Sequence, residues 1–375
     1  MAALFGAGCA TSGPDRDFRK AAAREPDRAA WIAQVPRVSG FRAHGELAPV
    51  AAVLKFWGRP LRPGALAAPG EDPADLPASE EALVRAIGRQ GLWAYPCSAS
   101  EARLQDWLRR GLPVLARLED PSSGKAGDVL VLGYSETDGA MLTDGLPGGR
   151  ASLPAREFLS RWRAMDHRAL LMCPPDKPRR DLSPEELVSR GRYYEAAGQA
   201  VLALEDYEAA RAAGASSPAM LVSLGNLCRD LDRTAEAEAF YRQAIREDPR
   251  QARAYNNLAY LLADENRDLE EAARLARQAL ILDPANPLFM DTLGFALMSQ
   301  GQYAEAANVL ERAWGRSRWY PTRVQLEIGL RLALAHFRGG QEHLAAEVLR
   351  DLLSMDPAMP VPAELRPLVP GSSRR

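Results

Sequence analysis

Residues 218–251 read PAMLVSLGNLCRDLDRTAEAEAFYRQAIREDPRQ, and their pattern of small and large residues recurs on both sides. Leu221, Leu224, Gly225 and Cys228 fall on one face of a first helix. Ala237, Tyr241 and Ala244 fall on one face of a second, which Pro249 stops. Small residues at Gly225 and Ala237 let the two helices approach closely. The pattern lies upstream as Leu187, Gly191, Tyr194, Ala203, Tyr207 and Ala210. It lies downstream as Tyr255, Leu258, Ala259, Leu262, Ala272, Ala279 and Pro284. The small residue of the first helix stands at Gly191, Gly225, Ala259, Gly294 and Ala333, in steps of 34, 34, 35 and 39 residues.

That period and those residue types resemble tetratricopeptide repeats, and residues 183–357 are read as five of them, an all-α solenoid. Two departures stand out: an extra residue in the ENRD turn of the third repeat, and a WGRSRWYPTR insertion at 314–323 between the fourth and fifth. Repeats of this kind stack because no single one buries its apolar face, and the stack exposes a concave surface lined by the first helices. The resemblance implies that a protein or peptide partner binds there, against Arg192, Asn226, Arg229, Asn256, Tyr260, Asp291 and Phe295. Amides there bond a peptide backbone and Tyr260 or Phe295 takes an apolar side chain. Asn226 and Asn257 are also residues that the repeat carries for its own sake.

A chain of 375 residues has room for a second domain before the array. With 47% hydrophobic and 26% charged residues it is an ordinary globular composition, and 47 basic against 49 acidic residues leave no footprint for nucleic acid. Cys9, Cys97, Cys173 and Cys228 show no metal-ligand spacing, so neither a metal nor another cofactor is expected. Cys173 and Cys228 read as core.

Residues 1–28 read as a lipoprotein-like N-terminus, within which 12–28 are expected to be a tether or a first helix. GAGCATS around Cys9 resembles the end of a bacterial lipoprotein signal, although Gly6 stands where leucine is usual. The resemblance implies a lipid on Cys9 and a periplasm-facing place at the bacterial cell envelope, and it fits if the true start lies upstream. The alternative is an incidental cysteine on a flexible start, in a cytoplasmic scaffold.

Residues 29–174 read as an α+β domain, with strands at 31–35, 113–118, 128–134, 140–143 and 169–173, and helices at 47–57, 79–90, 100–110 and 155–163. Residues 175–182 read as an extended, exposed linker, 183–358 as the repeats and 359–375 as a tail.

VPRV at 35–38, AAVLKFWG at 51–58, LPASEEALVRAIGRQGL at 76–92, RGLPVLARL at 110–118, DVLVLGYSETDGAMLTDG at 128–145 and FLSRWR at 158–163 resemble the papain-like cysteine peptidases that cut double-glycine leaders. That chemistry needs a thiol at a helix N-terminus, a histidine, a residue to orient it and a glutamine donor. In this chain the nucleophile position holds Gly45, the glutamine position Gly40 and the histidine position Gly127 or Asp128. Only Asp144 is left as a remnant of the orienting residue. The resemblance therefore implies the papain-like fold without the activity: a pseudopeptidase whose old cleft, near Gly45, Asp128 and Asp144, is a second possible binding surface. The competing expectation is an active peptidase rebuilt on Cys97 with His44. Trp57, Trp107 and Trp162 read as core, and His167 as a turn residue. Trp314 and Trp319 either pack the insertion down or form a contact surface.

The combined expectation is a non-catalytic adaptor that holds a protein or peptide partner.

Overall fold

The computed structural model describes residues 14–36, 48–59, 79–121, 124–146, 149–177 and 179–369. Cys9, Gly40, His44 and Gly45 lie outside them. The chain divides into two compact units, Met1–Tyr193 and Tyr194–Arg375.

The N-terminal unit runs α1 (Pro14–Arg24), β1 (Ala29–Trp31), α2 (Ala48–Phe56), α3 (Glu80–Arg89), β2 (Trp93–Ser98), α4 (Glu101–Arg109), β3 (Val114–Glu119), β4 (Ala126–Ser135), β5 (Ala140–Leu146), β6 (Gly149–Pro154), α5 (Ala155–Arg163) and β7 (Arg168–Cys173). The strands form one sheet in the order β2-β7-β3-β4-β5-β6, with every pairing antiparallel. β1 pairs with the end of β4, opposite Gly133, Tyr134 and Ser135. A Cβ on Gly133 would stand 2.5 Å from the Ala30 carbonyl oxygen, so the close approach of β1 requires glycine there.

Helix starts follow local chemistry. The hydroxyls of Ser79 and Ser100 accept from the amides of Ala82 and Arg103, each at 3.2 Å, and so cap α3 and α4. Trp93, Trp107 and Trp162 are fully buried, and their indole N–H groups are all satisfied. Trp93 donates to Ser189 Oγ at 3.1 Å, Trp107 to Glu186 Oε1 at 2.5 Å and Trp162 to the Arg168 carbonyl at 2.8 Å.

Ser189 and Glu186 belong to α6 (Pro184–Ala196), whose first turns complete the core of the N-terminal unit. Residues before α6 depart from the extended linker expected at 175–182. A 3-10 turn forms at Arg179–Asp181, Leu182 is buried, and the buried guanidinium of Arg190 donates to the carbonyls of Pro175, at 3.0 Å, and Lys177. Ser183 and Glu186 cap the helix reciprocally: Ser183 N donates to Glu186 Oε2 at 2.8 Å and Glu186 N to Ser183 Oγ at 3.2 Å. An arginine that satisfies loop carbonyls and a capping box hold these residues down despite their prolines.

The C-terminal unit continues as α7 (Ala200–Ala212), α8 (Pro218–Asp230), α9 (Thr234–Glu247), α10 (Ala252–Asp264), α11 (Leu269–Leu282), α12 (Pro287–Ser299), α13 (Tyr303–Arg316), α14 (Thr322–Arg338) and α15 (Glu342–Met355), and ends in a 3-10 turn, Ala363–Leu368. Helices pair as the repeat predicts. A Cβ on Gly225 would lie 2.4 Å from the Tyr241 ring, and one on Gly294 2.5 Å from Leu310, so both pairs are packed at glycine distance. In the ENRD turn Asn266 (φ 52°) holds the left-handed position that Asp232 (φ 58°) holds in the second repeat, and a second left-handed residue, Asp268 (φ 43°), accompanies the extra residue.

α8, α10 and α12 have 13 residues each and α14 has 17, whereas α9, α11, α13 and α15 all have 14. The insertion therefore leaves the second helices alone and adds a turn to α14 after a 3-10 step at Ser317–Trp319. It splits its two tryptophans. A Cβ on Gly329 of α14 would lie 2.7 Å from the Trp314 ring, which packs in the core, while Trp319 is 89% exposed.

Candidate binding groove

Along the C-terminal unit α8 touches α10, α10 touches α12 and α12 touches α14, while successive second helices barely meet. The first helices thus form the inner, tighter side of the stack. Six of the seven residues expected to line a groove lie on them in this unit; Arg192 is exposed and belongs to the N-terminal unit.

The six divide by what they touch. Asn226 is committed to the scaffold: its Oδ1 accepts from Tyr241 Oη at 2.8 Å and from Asn257 Nδ2 at 2.7 Å. Asn256 Nδ2 donates in turn to Asn257 Oδ1 at 3.1 Å. Arg229 is folded onto its neighbour Asp230, at 2.8 Å.

Tyr260 of α10 and Phe295 of α12 meet with ring centroids 5.6 Å apart, both half-buried. Arg331 of α14 lies over the two rings, its guanidinium carbon 5.9 Å from the Tyr260 centroid and 5.1 Å from that of Phe295. The same arginine is ion-paired to Asp291 Oδ2. Asp291 is only 8% exposed. Burial pushes its carboxyl up to about 6, against the lowering effect of Arg331 and with a raising one from Glu327.

Arg331 is the member of this cluster absent from the sequence expectation. It stands two residues before Ala333, where the third repeat has Asn257 and the fourth Thr292, and the 39-residue step hides that equivalence. The signal was a basic residue in the row that Asn257 and Thr292 hold in the earlier repeats.

Among the described positions of the expected peptidase site, Asp144 and Asp128 are paired with arginines. Asp144 Oδ2 accepts from Arg150 Nε at 3.1 Å, and its Oδ1 accepts from the Gly145 amide at 2.9 Å. Arg150 also pairs with Asp15 of α1 at 3.1 Å and donates to the Val35 carbonyl at 2.8 Å, with its side chain 6% exposed. Arg150 thereby joins α1 to the sheet, and Asp144 holds Arg150. A Cβ on Gly127 would meet nothing within 4 Å, and Asp128 lies 3.5 Å from Arg117 across β3 and β4. Burial pushes the Cys97 thiol up to about 11 and that of Cys173 up to about 12, opposite to the shift a nucleophile needs. His167 sits in a left-handed turn (φ 53°) against the Trp162 ring, 5.0 Å between centroids.

Among the described residues no group of three or more His, Cys, Asp or Glu side chains is placed to hold a metal ion, and no helix is long and apolar enough to cross a membrane.

Comparisons with known proteins bear on the C-terminal part. Residues 188–252, 240–274, 263–318 and 292–360 match family models described as tetratricopeptide repeat. The TPR repeat-containing protein PA4667 of Pseudomonas aeruginosa is 35% identical over 82 residues, which are 22% of this chain and 14% of that protein. Among solved structures, MamA 41-end from Desulfovibrio magneticus RS-1 superposes with a TM-score of 0.41 at 14% identity, covering 47% of this chain and 96% of that one. TTC0263, a thermophilic TPR protein from Thermus thermophilus, gives 0.39 at 20% identity, covering 47% of this chain and 93% of its own. YrrB, described as a TPR protein with an unusual peptide-binding site, gives 0.38 at 15% identity, covering 46% and 86%. By repeat period, helix pairing and family match, residues 188–360 of this chain are tetratricopeptide repeats.

Proposed function

We propose that the chain is a non-catalytic adaptor that holds a protein or peptide partner along the first helices of its repeats. The observation that carries this reading is the half-buried Tyr260–Phe295 pair on the inner row of α10 and α12. Large rings left partly open beside polar groups are what a partner's side chain packs against. The test is affinity capture from envelope extract with the wild type and with Tyr260→Ala/Phe295→Ala. A partner retained by the first and lost by the second, with the helical circular dichroism of the two alike, supports the reading. Equal retention by both sinks it. Asn226 is unsuitable for this test because its amide holds Tyr241 and Asn257 in place.

The reading extends to the N-terminal unit as a pseudopeptidase. Gly127 or Asp128 at the expected histidine position, an Asp144 occupied by Arg150 and a Cys97 thiol pushed up by burial support it. Peptide hydrolysis by the wild type that disappears in Cys97→Ser would replace it with the rebuilt peptidase. The envelope location rests on the residues around Cys9. Radiolabelled fatty acid carried by the full-length protein and lost in Cys9→Ala is the expected result, and an unlabelled wild type would favour the cytoplasmic scaffold.

A further inference from the structure

Two oxygens in the groove lack a hydrogen-bond partner although both are buried: Oδ1 of Asp291 and Oδ1 of Asn256. The orientation of Asn256 is set by a directional chain, since Tyr241 and Asn257 both donate to Asn226 Oδ1 and Asn257 Oδ1 must then accept from Asn256 Nδ2. Its oxygen is the free end of that chain. Asp291 has given Oδ2 to Arg331 and keeps Oδ1 open. Asn256 and Asp291 each stand three residues before the small residue of their helix, Ala259 and Gly294, so they occupy one row in adjacent repeats. Tyr260 and Phe295 stand one residue after it, and the Arg331 guanidinium lies over their rings. Buried acceptors of this kind call for a donor, and a donor that carries positive charge satisfies a carboxylate best.

We propose that the groove between α10, α12 and α14 receives a basic side chain, arginine or lysine, from an extended segment of the partner, its N–H groups on Asp291 Oδ1 and Asn256 Oδ1 and its stem along Tyr260 and Phe295. This rests on the groove reading above and names the chemistry that the groove selects. Charge favours a cation over the alternatives. Arg331 alone does not offset the burial of Asp291, whose carboxyl stays above its ordinary range with Glu327 pushing the same way. A second cation would complete the pairing of the carboxylate. An acidic side chain would add to Asp291 and Glu327 and leave both oxygens bare, and an aliphatic one would bury them further.

The probe is a random heptapeptide display library selected on the full chain at pH 7.5. Arginine or lysine should be enriched at one position. The strongest peptide should bind about tenfold or more tightly than its arginine-to-citrulline form, which keeps the shape and removes the charge. Asp291→Asn should lose that preference and bind the two forms alike. If Asp291→Asn does not fold, the citrulline comparison on the wild type and on Asn256→Ala carries the test. Selected peptides that need Tyr260 and Phe295 but show no basic preference, or whose preference survives Asp291→Asn, overturn this inference and leave the groove reading standing. Selection that yields no peptide dependent on Tyr260 and Phe295 overturns both.

Discussion

Asp291 and Arg331 place a pH-sensitive ion pair at the centre of the groove. In the unfolded chain an aspartate ionises near pH 3.9, and in the folded one Asp291 waits until about 6 because burial outweighs the pull of Arg331. Between those values the folded state holds a proton that the unfolded state has released, so stability falls as pH rises from about 4 to 6 and levels off above. Urea titrations should therefore show the wild type losing roughly 1–3 kcal/mol relative to Asp291→Asn over that window. A difference that is flat or grows with pH would mean the carboxyl is not held up. Arg331→Ala should cost about 3 kcal/mol at neutral pH, since it strands a buried carboxylate. The glycines of the helix pairs make a second residue-scale contrast. Gly225→Ala forces a methyl against the rigid Tyr241 ring, and Gly294→Ala forces one against a flexible leucine, as Ala333 and Leu349 already share a core in the fifth repeat. The first change should cost about 2–3 kcal/mol and the second about 1, with Gly127→Ala as a control that meets no neighbour.

At the scale of elements, Arg150 is the clip that ties α1, the chain after β1 and β5 together. Asp144→Ala should lower the melting temperature of the N-terminal unit by removing one carboxylate from a buried arginine, a loss of about 3 kcal/mol. An unchanged melting curve would count against a structural role for Asp144. The insertion before α14 offers a matched pair. Trp314→Ala should cost about 3 kcal/mol, while Trp319→Ala should stay within about 0.5, as chemical unfolding of the two variants would show. These contrasts also explain what the sequence made legible. Helix pairs were readable because Gly225 and Tyr241, or Gly294 and Leu310, leave the same signature at a fixed step. Central strands β3, β4 and β7 were readable as apolar runs buried within the sheet. β6 was not, because its alternation runs over only Arg150, Ala151, Ser152 and Leu153 and it lies at a sheet edge with one neighbour. Arg331 was missed for a different reason: the added turn of α14 moved it out of step with Asn257 and Thr292.

Over the whole molecule, the repeats are coupled chiefly to their neighbours, so a cut at one end should be felt locally. The stack closes on the 3-10 turn Ala363–Leu368, whose Leu365 is fully buried with Ala333 and Leu349 while Val361, Leu368 and Val369 pack around them. Arg338 of α14 holds the same segment by two bonds to Glu364, at 2.9 and 2.7 Å. Residues beyond 358, read from sequence as a tail, thus cover the apolar face that the last repeat would otherwise leave open. A chain ending at Met355 should lose amide-exchange protection first in α14 and α15, by tenfold or more if about 1.4 kcal/mol of local stability goes. Protection in α8 to α11 should be unchanged, since those helices pack chiefly on one another and on α12 rather than on the turn or α15. Loss of protection along the whole array would instead reveal a unit that unfolds as one body, and an ordinary α14–α15 pair would make the turn dispensable. Because Arg331 lies on α14, the same truncation should weaken the Asp291–Arg331 pair, so loss at the end of the stack should reach the groove through that helix.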